Sequence, residues 1–386
     1  MPETVYTQAE VDDRLAKLHG EVVETNARLA QAEAEIQALK NKTEACPCDQ
    51  PDPKPEPPII GPPPVTPVED IHLKAGETID AGYDIRPRRV TYDRDLTGCR
   101  VFRCDFTDHG KLDLARIVGG VNAPLIFDRC RFGGLPDRYL QDDAISIQSD
   151  RGGNERFGGV RFSRSRFQYV RHRDEASEPR AQGVYWYGIE AMDIYGCAFT
   201  HIDDLQPRVH SQGAYGDPLN GNMSVGNTLF YRIAQTAGSL RSPLSSFSGN
   251  VVIDANSGGF AREIIDNVIC GGTPNNEFTD TSYGFECQAY TERVSGNYVA
   301  GRLTGKDWIG AYHVHSGGNP DLRNNFVTRD SLPKLKVYGS YRGEEPVVIA
   351  NDKVTRPSLD RILNVASDPT PDAVQRLRFE MIGGPA

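Results

Sequence analysis

The sequence predicts an all-β strand solenoid carried behind an α-helical coiled-coil stalk. Three observations predict it: an unbroken heptad seam near the N-terminus, a proline-rich stretch directly after it, and a tripeptide slot that recurs through the rest of the chain. The chain has 386 residues, enough for one large domain or two ordinary ones with appendages. Its 38 glycines and 26 prolines exceed average usage and suit short strands joined by turns.

Residues 1–45 are the stalk. Apolar or small side chains fall at Val11, Leu15, Leu18, Val22, Thr25, Leu29, Ala32, Ile36 and Leu39, in steps that alternate four and three. That spacing is the seam of a coiled coil, and Thr7 with Glu10 fits a capping box at its start. At 1.5 Å per residue the seam predicts a rod of about 43 Å. A polar segment follows it directly, so the seam must be buried by other copies of the chain. Mixed Leu, Ile and Val leave two and three strands both open. Residues 46–68 hold ten of the 26 prolines and form the linker. Proline fixes φ and removes a donor, so an extended, semi-rigid spacer is expected. Cys46 and Cys48 sit where the stalk frays, placed to cross-link chains or to remain as spare thiols.

From 69 to 355 short alternating runs are punctuated by Gly, Asn and Asp. The recurring slot reads Cys104-Asp-Phe106, Cys130-Arg-Phe132, Ser165-Arg-Phe167, Cys197-Ala-Phe199, Asn227-Thr-Leu229, Asn250-Val-Val252, Asn267-Val-Ile269, Asn297-Tyr-Val299 and Asn325-Phe-Val327. Its spacings are 26, 35, 32, 30, 23, 17, 30 and 28 residues. Most suit one turn of a strand solenoid with a variable loop, and the 17-residue step is short for one. Stacked coils share a core that none could bury alone. The Phe series is then an interior ladder, and the Asn series a second ladder of amides bonded from coil to coil about 4.8 Å apart. Cys104, Cys130 and Cys197 share that slot, which predicts buried, unbonded thiols. Residues 356–386 lose the repeat. A short helical pattern after Thr370-Pro371 is expected to cap the solenoid against edge-to-edge growth.

With these residues in view, the body resembles the right-handed parallel β-helix family; residues 284–301, GFECQAYTERVSGNYVAG, look like its usual coil. The order stalk, Pro-rich neck, β-helix is similar to phage tailspikes and virion fibres. The resemblance implies a homotrimer at the virion surface, assembled in the host cytoplasm. Its N-terminus would dock on a tail or capsid protein, and its β-helix would face host surface polysaccharide. Alternatives are a polysaccharide depolymerase (hydrolase or lyase) and a structural head fibre without a ligand. Net charge −10 with no basic cluster argues against nucleic acid, and no apolar run reaches the length of a membrane span. No basic patch and apolar stretch open the chain, so no secretory signal is expected.

Hydrolysis of a glycan needs two carboxylates across one groove. Gln141-Asp142-Asp143-Ala144-Ile145 resembles the D-D-C-[IV]-A-I stretch of β-helix polygalacturonases, with Ala144 in place of Cys. Asp203 and Asp204 form a second acidic pair, so the candidate catalytic acids are Asp142, Asp143, Asp203 and Asp204, beside Glu190 and Asp193. A lyase would instead use His172 with Arg171 and Arg173, or His210 near Arg208. Sugar rings stack on aromatic faces, which makes Tyr185, Trp186 and Tyr187, the densest aromatic run, candidate glycan-binding residues. Trp308 and Tyr312, with Tyr283 and Tyr290, form a second set. His313 and His315 share one face of a strand, but no third ligand announces itself, so neither a metal nor a cofactor is expected.

Overall fold

The computed structural model describes residues 70–82, 86–149, 156–172, 181–202, 211–217, 221–271, 284–301, 310–331 and 335–384. The chain divides at Pro63/Pro64, and all described residues belong to the second unit. The expected coiled coil and linker lie outside them, as do Asp203, Asp204 and Trp308.

The body is an all-β solenoid of parallel strands with three faces. The first face is an 11-stranded sheet running from Thr78–Asp80 to Arg342–Gly343. A two-residue corner leads each coil into the second face, which includes Asp105–Thr107, Arg131–Gly133, Ala198–Ile202 and Tyr298–Ala300. The third face is built from Leu112–Ile117, Ile145–Ser149, Ala181–Tyr187, Ser211–Gly216 and the distal halves of Leu229–Leu240 and Val251–Phe260. Phe285–Cys287, Gly310–Val314 and Leu335–Tyr338 continue it, the Gly258 N–H donating to the Gly284 carbonyl at 2.6 Å.

The corner between the first two faces explains the recurring slot. Its first residue is Arg103, Arg129, Arg164, Gly196, Asn227, Gly249, Asp266, Gly296 or Asn324, all with φ between 45° and 68°. That left-handed turn suits Gly and Asn and is uncommon for Arg. Arg103 and Arg164 each reach back one coil to a carboxylate, Asp80 and Asp128. The second corner residue points inward: Cys104, Cys130, Ser165, Cys197, Thr228, Asn250, Asn267, Asn297 and Asn325, all buried. One slot therefore moves by a residue: Thr228 holds it, and Asn227 takes the left-handed position before it. Phe230, not Leu229, continues the Phe ladder. The short 17-residue step is a genuine coil, with Val252 opposite Ile269 and the Asn250 amide donating to Asn267 Oδ1 at 3.0 Å.

The ladder's chemistry is constant while its residue type changes. Asn267 and Asn297 Nδ2 donate to the Oδ1 of the next Asn at 2.9 and 3.0 Å. Higher up, the Thr228 and Ser165 hydroxyls accept the backbone N–H of Cys197 and Cys130 in the same way. Inside, Phe106, Phe132, Phe167, Phe199 and Phe230 stack with centroids 4.5–5.0 Å apart. Gly183 and Gly213 face Phe199 and Phe230 so closely that a Cβ would collide with the rings. All six described cysteines are buried and free. Burial pushes the Cys104 and Cys197 thiols up to about 12.

Of residues 356–386, expected to close the end of the solenoid, the described part, 356–384, lies along its flank instead. Helix α1 (Leu359–Ser367) is capped by Ser358, and α2 (Pro371–Ile382) by Thr370 and Gly383. Their apolar residues, Ile362, Val365, Val374, Leu377 and Met381 among them, cover the outside of the second face over Ala198, Leu229, Val251 and Val268. The same outer column carries Arg131 and Arg166 in earlier coils and turns apolar from Ala198, where the helices begin to cover it. Arg356 ties the cover down with two bonds of 2.6 Å to Asp254.

Candidate functional site

Side chains alternate across a strand, so one column on the third face points inward and its neighbour outward. Val184, Trp186, Tyr312 and Val314 point inward and are buried. Tyr185, Tyr215 and Ser239 are aligned on the outer side of successive strands. Farther along, Glu286, His313 and Tyr338 are aligned in the same way. The outer strip spans seven strands, from Ala181–Tyr187 to Leu335–Tyr338, about 29 Å at 4.8 Å per strand.

Along it the groups form two clusters of contacts. The Tyr185 and Tyr215 rings stack at 5.6 Å, and the Arg241 guanidinium lies 5.1 Å over Tyr215. The Tyr290 hydroxyl donates to the Leu240 carbonyl at 3.1 Å; burial holds its phenol well above the usual range, so it stays protonated. Glu286 Oε2 sits 3.1 Å from His315 Nε2, and Gln288 Nε2 donates to the same oxygen at 3.4 Å. His313 packs edge-on to His315 at 4.7 Å and stacks on Tyr338 at 5.0 Å. Burial, with His315 beside it, lowers the His313 pKa and keeps that imidazole neutral near pH 7. Tyr185, Ser239, Glu286 and His313 are buried in the strip, and solvent reaches Tyr187, Tyr215, Arg241, Gln288, His315 and Tyr338, so it offers aromatic edges, hydroxyl and amide donors, one guanidinium and one imidazole held by a carboxylate. That inventory suits a polyol with many donors and acceptors. Among the described residues, no group of three His, Cys, Asp or Glu is placed to hold a metal, and no helix is long and apolar enough to cross a membrane.

The sequence-derived candidates divide sharply. Tyr185 and Tyr187 belong to the strip, but Tyr185 is 5% exposed and only Tyr187 of the run is half-buried. Trp186 and Tyr312 leave the glycan-binding set, because both are fully interior; the Tyr312 hydroxyl donates to the Asn297 carbonyl at 3.1 Å. Asp143 is fully buried and accepts from Lys111 Nζ at 3.0 Å, a structural ion pair rather than a groove acid. Asp142 is half-buried at φ 82°, its N–H donating to the Arg171 carbonyl. Asp193 lies on the first face, paired with Arg161, away from Asp142. His172 is buried. Sequence reading did not single out Tyr215, Arg241, Glu286 or Gln288. The signal was there: Glu286-x-Gln288 and His313-x-His315 have the same parity, and pairing their strands puts all four on one side.

Comparison with protein-family models, curated proteins and solved structures finds no match for this chain, so its function is argued from the strip itself.

Proposed function

We propose that this chain is a virion spike or fibre protein that attaches to host surface polysaccharide through the outer strip of its third face. In this reading residues 11–39 join three chains in a coiled coil, the linker spaces them from the particle, and the solenoid is a right-handed β-helix. Right-handedness follows the general preference of parallel crossovers. The observation that carries the reading is the alignment of two contact clusters on one outer strip, Tyr185–Tyr215–Arg241 and Glu286–His315–His313–Tyr338. It runs along the stacking direction, as an extended chain ligand requires, and mixes rings with hydrogen-bonding groups.

The test is binding of the full-length protein to capsule and lipopolysaccharide from a panel of bacterial hosts. One preparation should bind, and Arg241→Ala with His315→Gln should weaken that binding at least tenfold at unchanged melting temperature. Equal binding by the double variant would remove the strip from the reading. No binding to any preparation would remove the attachment role.

A second reading, cleavage of the same glycan, is favoured by the Glu286–His315 pair. A carboxylate holding one ring nitrogen orients an imidazole for acid–base work. Chain shortening that disappears in His315→Gln while attachment persists would establish it.

A further inference from the structure

A second concavity lies on a different face. A cleft of about 420 Å³ runs along the outer side of the first face, from the turn at Gly120–Pro124 to the strand Ser245–Ser248. Five successive coils contribute to it. Gly159 and Ala191 hollow its floor, since neither carries a side chain long enough to fill it. Val121 and Leu244 flank it, 74% and 54% exposed, among the most exposed large apolar residues described. Polar groups come from successive coils: Asn122, then Arg161, Asp193, Asn222 with Ser224, and Ser246. Arg161 and Asp193 are in register and bonded at 3.0 Å, so the cleft has no net charge. Burial in the cleft raises the Asp193 pKa even beside that guanidinium.

We infer that this cleft is a second carbohydrate site, one that takes a neutral oligosaccharide lying along the coil stack. Charge sets the ligand class: the one cation and the one anion neutralise each other, leaving no group to attract a polyanion. The apolar floor and flanks match the C–H faces of pyranose rings, and the amides and hydroxyls match their hydroxyl groups. The coil repeat of about 4.8 Å is close to the length of one extended pyranose unit, so each coil meets one ring. The ligand class rests on the glycan reading above, but the site is independent of the third-face strip. A chain with both would hold one polysaccharide at two places, and the second contact would be intramolecular.

Ala191 is exposed, and a tryptophan there fills the cleft without entering the core. The experiment titrates neutral tetrasaccharides (maltotetraose, cellotetraose, mannotetraose and chitotetraose) against full-length protein, read by saturation-transfer NMR. At least one should bind wild type and the Arg241→Ala/His315→Gln variant alike, and bind Ala191→Trp at least tenfold more weakly. Ser224→Trp, at a second outward position on the next coil, should give the same loss if Ala191→Trp fails to fold. The inference is overturned if no tetrasaccharide binds wild type. It is also overturned if binding survives the cleft variants and vanishes with the strip variant, a result that would leave the attachment role standing.

Discussion

Replacing Asn297 by Ala tests what holds the coils in register. The Asn297 side chain is fully buried, and its Oδ1 accepts from the Asn267 backbone N–H at 3.0 Å and from Asn267 Nδ2 at 2.9 Å. Its Nδ2 donates to Asn325 Oδ1, to the Ile264 carbonyl at 2.8 Å and to the Ser295 carbonyl at 3.1 Å. Alanine strands two buried donors on Asn267 and takes a donor from the Ile264 carbonyl, while Asn325 Oδ1 keeps the Asn297 backbone N–H and the Ser295 carbonyl keeps that of Asp266. An unsatisfied buried polar group costs about 1–3 kcal/mol, and backbone relaxation recovers part of that, so the loss should be about 3–5 kcal/mol. Asn227→Gly is the control. Its side chain is on the surface, donating to the Tyr195 hydroxyl, and glycine tolerates φ 45°, so the change should stay within about 1 kcal/mol. The assay is equilibrium urea unfolding, with the m-value checking that the same cooperative unit unfolds. If Asn297→Ala costs no more than Asn227→Gly at equal m, the ladder follows the register rather than setting it.

Thiol titration at pH 8 should find Cys104, Cys130 and Cys197 unreactive in the native protein and reactive after denaturation; native labelling of any one would overturn its inward placement. Because these thiols and the Tyr290 phenol have raised folded-state pKa values, the stability they give is complete below about pH 9 and lost as pH climbs through the folded values. The melting temperature should therefore fall from pH 9 upward, and a flat profile to pH 11 would contradict the burial. Asp143→Asn should lower stability by about 1–3 kcal/mol, since it leaves Lys111, itself partly reached by solvent, without its buried partner. It should not change any glycan cleavage beyond the loss of folded protein. Light scattering of the full chain should give three times the single-chain mass and should fall to one after deletion of residues 1–45; a monomeric full chain at micromolar concentration would refute the stalk.

The solenoid was legible because its repeat is enforced by local chemistry. A left-handed turn followed by a buried slot leaves Gly-Asn or a near equivalent in the chain, as at Gly249-Asn250 and Gly296-Asn297. Register slipped at Asn227 because Asn suits both positions, the left-handed turn and the ladder, and only Phe230 beneath Phe199 decides between them. The candidate site was less legible. Tyr185-Trp186-Tyr187 drew notice by density, yet density says nothing about which face is covered, and alternation sent Trp186 into the core. Asp142-Asp143 drew notice by resemblance, and the partner that claims Asp143 lies 32 residues earlier, beyond any local pattern. The lateral placement of α1 and α2 had a signal in the outer column Ala198, Leu229, Val251, Val268, but it shows only once the coils are in register.

The position of the strip follows from where the fold tolerates variation. In nine successive coils the corner between the first and second faces is two residues, from Arg103-Cys104 to Asn324-Asn325. An extra residue there would turn every following side chain to the opposite face and break the ladder, so length cannot vary at that corner. It varies instead before and after the third face, where eight residues separate Ile202 from Ser211 and fourteen separate Cys270 from Phe285. A face bordered by connections of free length can gather unlike groups from coil to coil, here Tyr215, Ser239, Glu286 and His313 in one outer strip. The ladder's constancy and the strip's diversity are thus two results of one constraint: the rigid corner fixes where each strand of the third face begins its stack, and its outer positions are left to carry chemistry.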